Sequence, residues 1–143
     1  MSKINYIPFE RSYGGREKYY SVGKQKDLVG DCAIRAVALA LDQDYKETFR
    51  EMSELGVEEF GEFANSTSVI EEYLSRKGWR KISLKEGKEY KPFYDHRGII
   101  QRDKNYIFKV RAGYGSHLSA VVRGVNKDTW LCQDKKASFY WVK

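Results

Sequence analysis

With 143 residues, 41% of them apolar and only two prolines, the chain has enough apolar material for one folded domain and too much for a disordered one. A net charge of +6 spread over scattered lysines suits an acidic partner, but it lacks the basic block of a nucleic-acid binder. The first residues carry no signal-peptide core and no run reaches the length of a membrane span. A cytoplasmic protein with no membrane or nucleic-acid partner is therefore expected, its two cysteines being thiols rather than a disulfide framework.

Residues 1–29 read as an irregular arm on a single domain spanning 1–143. Tyr6-Ile7-Pro8-Phe9 is a short extended piece, Gly14-Gly15 a turn, and Tyr19-Tyr20-Ser21-Val22 a candidate strand. The stretch from Gly30 to Leu41 follows, and from Ala33 onward every side chain except Arg35 is apolar. Alanine and leucine favour a helix, and a helix apolar nearly all round belongs inside the protein. Cys32 stands at its start, with Asp31 as the candidate N-cap. Helix N-termini favour anions and so raise the thiolate fraction of a cysteine placed there.

Asp42-Gln43-Asp44 offers a cap to a second helix, with Tyr45, Phe49, Met52 and Leu55 on one face and an end near Gly56. Residues 57–63 read as an acidic, aromatic loop. Asn65 or Ser66 caps a third helix that buries Val69, Ile70, Tyr73 and Leu74 and closes at Gly78. The period then changes. Residues 79–84, 106–110, 118–122, 128–132 and 139–142 read as strands, with a charged loop over 86–95. Helices first and an antiparallel sheet afterwards make an α+β fold, with the cysteine-bearing helix packed on the sheet.

His117 opens the strand 118–122 behind Gly113-Tyr114-Gly115-Ser116. A turn over Gly124–Lys127 with Arg123 opposite Asp128 places His117 opposite Asp134, and Ser119 opposite Cys132. Opposed residues of an antiparallel pair have Cβ atoms about 4.5–5.5 Å apart, so Asp134 is the expected partner of the His117 ring, while Asp128, at the turn, reads as too far along the strand. His96 lies in a polar loop and reads as solvated, and Cys132 reads as structural. No further cysteine or histidine stands at zinc-ligand spacing and no glycine-rich phosphate loop is present, so no cofactor is expected.

Asp31-Cys32-Ala33-Ile34-Arg35-Ala36 and the run from Ser116 to Trp130 match two linked patterns. These are an Asp-Cys-x-x-Arg-Ala helix and a Gly-His-x-x-Ala-Val-x-x-Gly-x-x-x-Asp-Thr-Trp hairpin. On these segments the chain resembles the papain-like cysteine peptidase superfamily, and more narrowly the small cysteine peptidases of bacteriophages and bacteria. The resemblance implies that Cys32 attacks a carbonyl carbon, that His117 moves the proton, and that Asp134 orients the ring, with Asp128 as the alternative third member. It also implies an oxyanion-hole role for Gln25, which stands one position further from the cysteine than in the superfamily. Ser116 takes the place of the usual glycine, and Leu131 of an acid. The implied partner is a protein or peptide substrate, for a phage protein one from the host or the virion. The alternative is the same fold used as a protein-binding module.

Overall fold

The computed structural model describes residues 3–22, 30–113 and 115–143. Three helices lie in succession: α1 (Cys32–Ala40), α2 (Tyr45–Leu55) and α3 (Thr67–Arg76). Six strands make one mixed sheet: β1 (Phe9–Arg11), β2 (Arg80–Ser83), β3 (Tyr106–Ala112), β4 (Gly115–Val122), β5 (Val125–Asp128) and β6 (Ala137–Val142). Their order is β1-β5-β4-β3-β6-β2, and every pairing is antiparallel except β1 with β5. The α+β class read from the sequence is the observed one. Among the described residues no helix is long and apolar enough to cross a membrane.

Local chemistry explains the helices. Asp44 accepts a hydrogen bond from the Glu47 N–H at 3.1 Å, and Ser66 one from the Val69 N–H at 3.3 Å, so α2 and α3 begin where short polar side chains can cap them. α1 has no such cap, because the Asp31 side chain turns inward instead. Ala33, Ile34, Ala36, Val37, Ala38 and Ala40 of α1 are all buried. Its alanines let the helix approach the sheet, where Ile107, Leu118, Ala120 and Trp141 meet it. α2 and α3 add Met52, Leu55, Val69 and Leu74 to the same core.

The opposite face of the sheet carries a second core. Phe108, Tyr106, Val110 and Val121 pack there under Phe93, which lies on a short 3-10 segment, Phe93–Ile99. The Phe93 and Phe108 rings stack at 4.5 Å, and neither is exposed. The sheet is thus covered on both faces, which is why alternate residues of β3 and β4 are apolar on either side.

Four local expectations are corrected. The arm is not wholly irregular: it supplies β1, whose Phe9 pairs with Asn126. Residues 19–22 form no strand, and a 3-10 turn occupies Arg16–Lys18 just before them. After α2 the backbone continues as a π turn over Gly56–Phe60 rather than opening into a loop. The strand after the hairpin is Val125–Asp128, not residues 128–132.

Arg123 and Gly124 form that hairpin turn by themselves, with φ of 51° and 82°, and Val122 pairs with Val125. Two successive left-handed residues make a type I′ turn, whose twist matches the flanking strands. Asn105 Oδ1 holds the turn by accepting the Arg123 N–H at 3.1 Å. Asn126, read from the sequence as a turn residue, is fully buried in β5. Its amide donates to Ser119 Oγ at 2.7 Å and to the Ala120 carbonyl at 3.0 Å.

Candidate active site

The tight turn changes the register, and the register decides the site. Asp134 stands outside it: its carboxylate accepts from the exposed Tyr6 hydroxyl at 2.9 Å. The acid that reaches the histidine is Asp128, whose Oδ2 lies 2.6 Å from His117 Nε2. Trp130 packs on the His117 ring with centroids 5.0 Å apart. The expected pairing of His117 with Asp134 is therefore replaced by one with Asp128, the alternative third member.

β5 pairs with β4 only over Ala120–Val122, which leaves the start of β4 free to receive the first turn of α1. Cys32 arrives there. Its sulfur interacts with the His117 ring and with the Leu118 backbone. With Nε2 engaged by Asp128, Nδ1 is the ring nitrogen left for the Cys32 thiol. As the first helical residue, Cys32 has an N–H with no acceptor inside the helix, aimed where an anion would sit.

Burial pushes the Cys32 thiol up, yet the His117 ring, the Leu118 backbone and the Arg35 charge outweigh it and hold the thiol below its ordinary range. Burial pulls His117 the other way. Asp128 above all, with the Cys132 and Cys32 sulfurs, raises it to about 11. His117 is thus held as an imidazolium, and its charge shifts the neighbouring Cys32 thiol toward the thiolate.

Asp128 is 3% exposed and surrounded by donors. Oδ1 accepts from the Thr129 N–H at 2.7 Å and faces Arg35 Nη2 at 3.9 Å, while Oδ2 takes His117. The Cys132 thiol also donates to Oδ2, at 3.6 Å, and burial keeps that thiol protonated by raising its pKa. Cys132 is therefore a buried neighbour of the acid rather than a second thiol in the cleft.

His117, Asp128 and Cys132 place their ligand atoms within 4.8 Å of one another, so a metal deserves a test. A tetrahedral zinc ion holds its ligands about 2.0–2.3 Å away and hence more than ~3.2 Å apart. The Nε2–Oδ2 separation of 2.6 Å is that of a hydrogen bond between ionised groups. These residues fit proton chemistry better than metal binding.

Cys32 opens onto a cleft lined by Asn65, Thr67, Ile70, Lys109, Ser116 and Trp141. On the other side of Asn65 lies a second depression, formed by Ile34, Phe49 and Phe63. Gln25 falls outside the described residues. His96 is buried rather than solvated, with its Nε2 unpartnered, and it lies on the Phe93–Ile99 segment. Arg35, Trp130 and Asn65 were not singled out from the sequence as site residues. Arg35 had a signal, being the one charged residue in an apolar helix.

Comparisons with protein-family models, curated proteins and solved structures find no match to this chain.

Proposed function

We propose that the chain is a papain-like thiol hydrolase that cleaves a peptide, isopeptide or related amide bond. The observation that carries this reading is one histidine held between two partners of opposite role. His117 gives Nε2 to a buried carboxylate at 2.6 Å and also interacts with a thiol at a helix start. That arrangement groups a nucleophile, an acid–base group and an orienting anion around one ring.

In the reaction the Cys32 thiolate adds to the carbonyl carbon, forming the C–S bond, while the Cys32 backbone N–H receives the developing oxyanion. Imidazolium His117 then gives its proton to the departing nitrogen as the C–N bond breaks. Water attacks the thioester, passes a proton to His117, and releases Cys32 as thiolate. Asp128 stabilises the imidazolium at both stages without taking its proton. Gln25 would add a second oxyanion donor. The substrate in this reading is a protein or peptide, from host or virion if the protein belongs to a phage, encountered in the cytoplasm or on the particle.

The direct test is alkylation of the native protein by iodoacetamide at neutral pH, followed by hydrolysis assays on amide and thioester substrates. Cys32 is expected to label far faster than a denatured control, and His117→Ala to lose that advantage. Equal rates in native, denatured and His117→Ala protein would overturn the reading.

A protein-binding module on the same fold is the second reading. Phe63 at 86% exposure and Val57 at 75% are the observations that favour it. It requires partner binding to survive Cys32→Ser with no turnover in the parent.

A further inference from the structure

We propose that Arg35 is the positioning residue of this site. Its guanidinium joins the carboxylate beside the nucleophile, Asp31, to the carboxylate behind the histidine, Asp128. The inference rests on the thiol-hydrolase reading and adds to it a group that touches neither substrate nor the reacting atoms.

Arginine is seldom buried without compensation. Arg35 is only 7% exposed, and both ends of its fork are used: Nη1 donates to Asp31 Oδ1, and Nη2 faces Asp128 Oδ1 at 3.9 Å. Because Arg35 sits on α1 with Cys32 and Asp128 sits at the end of β5, the guanidinium spans the two elements that must meet. It lies on the Oδ1 side of Asp128, which leaves Oδ2 to His117. A lysine has the charge but not the planar fork needed to face two carboxylates at once.

The wider surroundings fit the same role. Asp31 is also met by the Tyr45 hydroxyl at 2.7 Å and by Arg16 Nη1 at 3.6 Å. From Arg16 through Asp31, Arg35, Asp128 and His117 to Cys32 the signs alternate in one row. Buried charges are tolerable when each has opposite neighbours, and strongly destabilising when a partner is removed. Without Arg35, two buried carboxylates would lose the cation between them. The other charged or titratable groups around the pair are Cys132, against Asp128, and Glu71 and Lys109, which line the cleft with Cys32. The backbone is fitted closely to this residue too. A Cβ on Gly14 would stand 2.8 Å from the Arg35 Cα, so the arm lies directly on it.

The experiment measures Cys32 alkylation by iodoacetamide against pH, together with the NMR titration of the His117 ring. The proteins are the parent, Arg35→Lys, Arg35→Met and Arg50→Met, the last altering an exposed arginine on α2. Arg35→Met is expected to move the alkylation profile to higher pH by on the order of one unit, or about tenfold in rate on its acid side. Arg35→Lys should move it less in the same direction, and Arg50→Met not at all. Adding Asp128→Asn to Arg35→Met should shift the His117 titration no further than Asp128→Asn alone, because Arg35 reaches the ring through that acid. A folded Arg35→Lys or Arg35→Met with the parent's alkylation profile and His117 titration would overturn the proposal. So would failure of both variants to fold, which would make Arg35 a residue of stability alone. If Cys32 of the parent proves no more reactive than an ordinary thiol, the hydrolase reading fails. The His117 titration still decides the link to Arg35.

Discussion

Asp128→Asn tests the observed register most directly. The change is nearly isosteric, so it removes one charge and one acceptor and little volume. In the parent, Oδ2 takes His117 Nε2 at 2.6 Å and Oδ1 takes the Thr129 N–H at 2.7 Å. An asparagine must turn its NH2 toward one of these donors, so one buried donor loses its acceptor in either orientation. That costs about 1–3 kcal/mol, and removing a partner from a buried ion pair costs about 3–5 kcal/mol. His117 escapes the larger penalty by releasing its proton, because burial alone favours the neutral ring. Cys32 then loses its cation, and burial pushes the thiol back toward or above its ordinary value of 9.0. Each unit of upward shift removes about nine-tenths of the thiolate at neutral pH. Alkylation of Cys32 is therefore expected to slow by roughly tenfold or more, with labelled sites assigned by peptide mass spectrometry so that Cys132 is not counted. Asp134→Asn is the control and should leave the profile unchanged, since among the described residues that carboxylate meets an exposed tyrosine hydroxyl in the arm and not the His117 ring. Slowing by Asp134→Asn with none by Asp128→Asn would refute the register and the site built on it.

Three further outcomes are expected. Gly14→Ala combines a φ of +68° with a Cβ 2.8 Å from backbone of α1, and should cost about 2–4 kcal/mol in urea unfolding. A loss below ~0.5 kcal/mol would mean that the arm does not bear on Arg35. Gln133→Leu removes the side chain that accepts the Ile7 N–H at 2.8 Å and donates to the Ile7 carbonyl at 2.9 Å. Faster exchange of the Ile7 amide and a loss of about 2–4 kcal/mol should follow. The third concerns pH. A folded-state His117 raised to about 11 contributes stability that is fully present below pH 6.5 and lost as the pH climbs to about 11. The lowered Cys32 thiol has the opposite sign, its contribution being present above about pH 9.0 and lost as pH falls through its folded value. Cys32→Ser removes the second contribution. Its stability relative to the parent should therefore fall as pH rises through the window between those values, by up to about 1.4 kcal/mol per unit. A parallel curve would count against the ion pair.

The helices were legible in the sequence because their signals are local. An unbroken alanine-rich run makes α1, and Asp44, Ser66 and Gly78 bound α2 and α3 with side-chain or left-handed caps. The candidate nucleophile and the histidine were legible for the same reason. The third member was not. Gly124-Val125-Asn126-Lys127 has turn composition, but Arg123 takes a left-handed conformation that its residue type does not advertise. The Asn105 acceptor that supports it comes from before β3. A shorter turn brings Asp128 rather than Asp134 to His117, so a hydrogen bond from outside the hairpin helps decide which acid serves. The extended piece ending at Phe9 gives no sign that it continues into β1 on the sheet edge, because a parallel edge strand has no neighbouring turn to announce its partner. Asp31 was read as a cap, and its inward turn toward Arg35 depends on a tertiary partner that local propensity cannot contain.

The tie between Ile7 and Gln133 has a temporal consequence. It joins residues 126 positions apart, and β1 docks on β5 beside it. Contacts of such separation form late, since the entropy of closing the loop is spent before they return anything. During synthesis the arm leaves the ribosome early and has no seat until β5 and Gln133 have followed it out. Cys32 spends that interval without its histidine, as an ordinary and mostly protonated thiol. In the thiol-hydrolase reading, nucleophilic strength then arrives only when the closing strands assemble. A growing chain in this state is chemically quiet toward its neighbours on the same polysome.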